Sequence, residues 1–128
     1  MMTTIGARLT SIAAGAVEIR LPYRAELTQQ HGFLHAGAVA SALDSACGYA
    51  AFSLMPERSG VLTIEYKINL LAPARGDELI ARGRVIRAGR TITVCQAEGS
   101  MLLDGTETPI ATMTATVMTI RDRPDVVG

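Results

Sequence analysis

Polar and apolar positions change period several times along this chain. Between residues 5 and 22 the later half alternates, with Val17, Ile19 and Leu21 set against Ala16, Glu18 and Arg20, which is the two-residue repeat of a half-buried strand. Gly15 supplies a turn inside the segment, so a β-hairpin is expected. Residues 24 to 37 hold no single period, and Gly32 and Gly37 flank His35. A short helix or turn followed by an irregular loop is predicted there. Residues 38 to 54 are dominated by Ala and other good helix formers and are followed by Pro56, which disfavours helix at the residue before it. They predict one helix of about four to five turns.

Beyond the loop at 56 to 60, four runs read as strands: 61 to 71, 78 to 87, 91 to 102 and 108 to 120. The last is the clearest, because Thr112, Thr114, Thr116 and Thr119 interleave with apolar residues. The short linkers 88 to 90 and 103 to 107 fit antiparallel hairpins. Residues 121 to 128 are expected to fray. The order is two strands, one helix and four strands, an α+β pattern forming a single domain over 1–128.

A single helix cannot cover both faces of such a sheet. It should lie on a concave face, leaving a strand edge or the other face to seek a partner chain. Ala, Gly and Ser make up most of the stretch from Ala36 to Ala51, so the helix is thin and a curved sheet can wrap closely around it. Burial nearly all round is the expectation.

Composition narrows the function. The 128 residues are 48% hydrophobic and 19% charged with formal net charge zero, which gives no bulk electrostatic reason to bind nucleic acid or an anionic membrane. With no Trp, three Tyr and two Phe, a base-stacking platform is not available. The weakly polar run around Asp44 is too short and too polar to span a bilayer. Arg8 interrupts any apolar core of a signal peptide. A soluble, cytoplasmic protein is expected. Cys47 and Cys95 stand in no metal or redox spacing and read as buried thiols. His31 and His35 are four apart, but Gly32 breaks the helical pattern between them and no third ligand is placed, so neither metal nor cofactor is expected.

Asp44 is the anomaly. An ionised carboxylate among apolar groups costs several kcal/mol unless it is paired, hydrogen-bonded or reached by water. Its helical neighbours Ala40, Ser41, Cys47 and Gly48 offer no cation and leave space beside it. That shape suits a carboxylate at the wall of a cleft; an ordinary solvent-facing Asp is the competing reading. The helix start around Ala36, Gly37 and Ala38 presents unsatisfied N–H groups to a developing oxyanion. Asp44 follows about two turns on, which suggests one small site holding a carbonyl-polarising pole and a base or nucleophile.

The stretch HGFLHAGAVASALDSACGYAA, followed by VLTIEYKINLLAPARGDELIARGRVIRAGRTITV, resembles the hotdog-fold acyl-CoA thioesterases of the phenylacetic-acid-degradation type. The likeness spans roughly residues 15 to 120. In that family a His-Gly-Gly sequence opens the central helix, and a carboxylate follows nine positions after the histidine, the spacing of His35 and Asp44 here. The resemblance implies a curved antiparallel sheet around one helix. It also implies a dimer, assembling further to a tetramer, with each site formed by the His35 loop of one chain and Asp44 of the other. Asp44 would be general base on water or direct nucleophile. The Ala36 N–H, with Gly37 next to it, would be the oxyanion donor, and His35 would position or polarise the thioester carbonyl. Gln29 occupies the place of a usual Asn, and Thr63 that of a hydroxyl orienting the lytic water. The nucleotide end of coenzyme A would lie near Arg87, Arg90 and Thr91, where Arg suits phosphate; a solvated face neutralised by Asp77 and Glu78 is the plainer reading of those arginines. Coenzyme A enters as part of the substrate. A non-catalytic acyl-CoA-binding module on the same fold is the alternative. Glu65 reads as an exposed cross-strand partner, and Ser41, Ser45 and Cys47 as small packing residues rather than nucleophiles.

Overall fold

The structure is a computed structural model that describes residues 1–121. Two strands, β1 (Arg8–Ala13) and β2 (Ala16–Pro22), form the expected hairpin, preceded by a short helix α1 (Met2–Ile5). A single 3₁₀ turn at Ala25–Leu27 leads to the long helix α2 (Ala36–Phe52). Strands β3 (Ser59–Leu70), β4 (Glu78–Ala88), β5 (Ile92–Leu103) and β6 (Thr106–Arg121) complete the chain. All six strands make one antiparallel sheet in the order β1-β2-β4-β5-β6-β3. This is the α+β hotdog arrangement, with β1 and β3 at the two edges. The tail expected to fray lies, from residue 122 on, outside the described residues.

The boundaries follow local chemistry. Asp104 and Gly105 both take positive φ, at 50° and 79°, as a two-residue hairpin requires. The alternating strands β2, β5 and β6 bury Val17, Ile19, Leu21, Cys95, Ala97, Met113, Ala115 and Val117 against α2. Helix and sheet approach so closely that a Cβ on Gly83 would stand 2.6 Å from the Ala46 backbone. A thin helix is therefore a packing requirement, and small residues on both sides meet it.

Two expectations need correction. Residues 5 to 7 are not strand: Ile5 ends α1 and Gly6 closes it with a left-handed φ of 82°. Nor is α2 buried all round. Ala42, Leu43, Ala46, Cys47, Ala50 and Ala51 are sealed against the sheet, whereas Gly37 and Phe52 are exposed and Ser41, Asp44, Ser45 and Tyr49 half-buried. One stripe of the helix is left uncovered by its own sheet.

Candidate active site

Asp44 stands on that open stripe. It borders a cleft of about 450 Å³ whose walls are Ser45, Gly48, Tyr49 and Phe52 of α2, Val61 and Thr63 of β3, and Met1 to Thr3. The Thr63 hydroxyl donates to Asp44 Oδ1 at 2.8 Å. The carboxylate thus keeps one charge-compatible donor and access to the cleft, the two conditions that make a half-buried charge affordable. The β3–β6 register slips between Thr63 and Glu65. A bulge directly after Thr63 bends the strand where its hydroxyl faces the helix.

The start of α2 is built differently. His35 is its cap: the backbone is extended there, and the ring Nδ1 accepts the Gly37 N–H at 2.8 Å. That bond makes Nδ1 the acceptor, so a neutral imidazole carries its proton on Nε2. Gly37 has no Cβ to collide with the ring, which would otherwise stand 3.0 Å away. The Ala38 and Val39 N–H groups both bond to the His35 carbonyl. The Ala36 N–H has no partner among the described residues. Of the donors expected at the helix start, Ala36 supplies the open one, and its φ is negative, so alanine sits there without strain.

Gln29 organises the loop before the helix. Its Oε1 accepts the N–H groups of His31 and Phe33, and its backbone N–H bonds to the Phe33 carbonyl at 2.8 Å. Gly32, at φ 85°, makes the tight turn possible. Gln29 and Ala36 line a second cleft of about 500 Å³ together with Phe33, Leu34, Val39, Ile110 and residues 70 to 74.

Ala36 and Asp44 are eight residues apart on one helix, about 12 Å along its axis. They open onto different clefts. A carbonyl held by the Ala36 N–H is out of reach of the same chain's carboxylate, because reacting atoms must approach to about 3–3.5 Å. The expectation of one small site therefore fails within a single chain.

The arginines lie farther off. Arg87, Arg90 and Thr91 are exposed around the β4–β5 hairpin. The register Thr63–Val117–Thr93–Ala88 crosses the sheet, placing that hairpin level with Thr63 but three strands away, about 14 Å. Glu78 belongs to the far end of β4, where it pairs with Arg20 and Arg8. It does not neutralise Arg87 or Arg90, which have no ion pair among the described residues. Arg82, in contrast, is held by Glu107 and Glu18, and Arg84 bonds to Gln96.

Of the remaining candidates, Glu65 accepts from Thr116 across the strands at 3.1 Å, and Ser41 bonds back to the Gly37 carbonyl at 2.8 Å. Burial, the nearby Cys95 and Asp44 together push the Cys47 thiol up to about 12, an inert state. Among the described residues no cluster of three or more His, Cys, Asp or Glu could hold a metal ion, and no helix is long and apolar enough to cross a membrane. Sequence reasoning missed the N-terminal turn as a wall of the Asp44 cleft. Gly6 was the signal, a left-handed helix stop one residue past a turn too short to show a period.

The thioesterase superfamily profile matches residues 31–100, which hold His35, Ala36, Asp44, Thr63 and the β4–β5 hairpin. The chain belongs to the thioesterase superfamily. A thioesterase family protein from Silicibacter pomeroyi superposes with TM-score 0.92 at 54% identity, over 94% of this chain and 88% of that one. A phenylacetic-acid-degradation-related thioesterase, provisionally so named, from Ralstonia eutropha shares the fold with TM-score 0.82 at 24% identity, over 91% and 87% of the two chains. A protein of Halobacterium salinarum, provisionally named an esterase, is 34% identical over 101 residues, 75% of this chain and 66% of its own. The chain spans just under two thirds of the length of the curated relatives it matches.

Proposed function

We propose that this thioesterase-superfamily chain hydrolyses acyl-CoA thioesters at a site shared by two copies. The observation that carries the reading is the half-buried carboxylate of Asp44, held by Thr63 at the wall of a cleft. On one chain lies the thioester, its carbonyl oxygen on the Ala36 N–H and near His35. From the other chain, Asp44 takes a proton from water as the water oxygen bonds to the carbonyl carbon, or attacks that carbon itself and is freed by water in a second step. Negative charge collects on the oxygen facing Ala36 and the helix N-terminus. The C–S bond then breaks, the sulfur leaves as thiolate and regains a proton, and the products are a carboxylic acid and coenzyme A.

The 12 Å between Ala36 and Asp44 favours a second copy, and edge strand β3 offers a surface for one. Leu62, Ile64, Tyr66 and Leu70 are about half exposed along it, an apolar edge of the kind that pairs. A dimer, extended to a tetramer in the cytoplasm, is the proposed working form. Arg87, Arg90 and Thr91 are the proposed contacts for the phosphates of coenzyme A, which arrives with the substrate, and no separate cofactor is required.

The test is thiol release from short-chain, medium-chain and aromatic acyl-CoAs by the wild type and by Asp44→Asn. At least one substrate should be turned over, and the variant should lose about a thousandfold in kcat/KM while its melting temperature stays close to wild type. A folded Asp44→Asn protein that keeps wild-type turnover rejects the mechanism. Acyl-CoA binding without turnover in the wild type identifies a binding module instead.

A further inference from the structure

We infer that Gly48 is a specificity-determining residue: the space left by its missing side chain admits acyl groups that are wide at the carbon next to the thioester carbonyl. The inference deepens the reading above and rests on it for the place of that carbonyl. Glycine in a helix interior is destabilising relative to alanine, so its presence there needs a physical reason. Two such reasons operate elsewhere in this molecule. At Gly6, Gly15 and Gly105 the backbone takes a positive φ, and at Gly83 a Cβ would stand 2.6 Å from the Ala46 backbone.

Gly48 meets neither condition. It lies inside α2 and outside the set of positive-φ residues. Beyond its chain neighbours and the backbone of its own helix, a Cβ there would find only Val61 Cγ2 at 4.0 Å among the described residues, an ordinary contact. The space opens into the Asp44 cleft, which Gly48 lines. Gly48 follows Asp44 by four residues, so the two share a helix face about 5–6 Å apart. A carbonyl carbon within reach of Asp44, or of a water that Asp44 holds, brings the first atoms bonded to that carbon against Gly48. Which of the two attached groups sits there follows from burial. Gly48 is buried, and Tyr49, Phe52 and Val61 line the cleft with it, so it forms a floor rather than a mouth. The pantetheine arm must return to solvent, and it carries amides that lose free energy when buried without a partner. The acyl group is the end of the molecule and can stop against a closed floor. The class of ligand is therefore an acyl group branched at the carbon beside the carbonyl.

The test uses ketone analogues of acyl-CoA, in which a methylene separates the carbonyl from the sulfur so that nothing is hydrolysed, titrated calorimetrically into the whole protein. Propyl and isopropyl ketones, and butyl and tert-butyl ketones, form pairs of equal carbon count that differ in width. For the wild type, affinities within each pair should agree to about threefold. Gly48→Ala should weaken the branched members by about tenfold or more and the straight ones by no more than about twofold. Its melting temperature should rise by about 3 °C, because alanine is the better helix former. Val61→Ala, which enlarges the same space from the strand, should favour the branched members instead. A wild type that itself rejects the branched members by about tenfold overturns the inference. So does a Gly48→Ala protein that melts lower than wild type, which would show that the fold requires the glycine. Losses shared equally by straight and branched ligands also overturn it, assigning the space to the arm or to the partner's loop. No turnover is read, so the result stands or falls separately from that of Asp44→Asn.

Discussion

The start and the middle of α2 face the same problem, stabilising charge beside a small helix, and answer it with different materials. At Asp44 the working group is a side chain, supported by a hydroxyl from the neighbouring strand. At Ala36 it is a peptide N–H, left open because His35 caps the next one and the following two bond to the His35 carbonyl. The site at Asp44 depends on residue type. The site at Ala36 depends on backbone geometry, and so tolerates any side chain that leaves the N–H in place.

The sharpest way to break that comparison is to disable each position on a different chain. Asp44→Asn and Ala36→Pro proteins should each be nearly inactive. If random exchange forms mixed dimers, half the dimers are mixed and each carries one intact site, so about a quarter of wild-type activity should return. Refolding the two variants together and measuring thiol release is the check. No recovery in a mixture shown to exchange would mean that both groups act within one chain, against the 12 Å between them.

Ala36→Pro is informative alone. Ala36 is the first helical residue and His35 before it is extended, the setting in which proline is accepted, and it removes only a donor that no helical bond uses. Loss of an oxyanion donor should cost about a hundredfold to a thousandfold in kcat. Ala36→Ser, which keeps the N–H, should remain within a few-fold of wild type.

The sequence foretells those parts of the fold whose signals are local. Strands after residue 60 lie within about two residues of their expected bounds, because alternation marks them. The start of α2 came two residues early, since His35 is outside the usual set of Ser, Thr, Asp and Asn caps. The expectation of burial all round the helix failed for a different reason. A stripe of small residues looks the same whether its cover is the chain's own sheet or a second copy. Asp44 was visible through the cost of burying it. Its bond to Thr63 joins residues 19 apart, beyond any local period; the family resemblance put Thr63 in the site as a hydroxyl orienting the lytic water, not as a partner of Asp44.

Thr63 tests the supported carboxylate more gently. Thr63→Val removes the donor at 2.8 Å while keeping the strand's preferred shape. It should reduce kcat by about tenfold, in line with losing one hydrogen bond to a charged group, and Thr63→Ser should restore most of it. If Thr63→Val is silent, the strand hydroxyl is ordinary sheet chemistry and the carboxylate is oriented by the cleft alone.

The smallest effect contrasts the open stripe with the sealed one. Cys47 is one helical turn from Asp44 yet fully buried, and burial first, then Cys95 and Asp44, raises its thiol to about 12, with Cys95 raised to about 11 by burial. A folded-state value above the unfolded 9.0 means that the folded protein holds these protons longer. Stability is then unaffected below pH 9 and falls as pH rises from there, by up to about 1.4 kcal/mol per pH unit for each thiol as the unfolded chain ionises. Urea midpoints from pH 8 to pH 11 should show this decline in the wild type and a shallower one in Cys47→Ala. The same substitution should leave acyl-CoA hydrolysis at pH 7 within twofold. A large loss of turnover in a folded Cys47→Ala protein would move the chemistry from the carboxylate to the thiol, and the division between an open, reactive face and a sealed, structural one would fail.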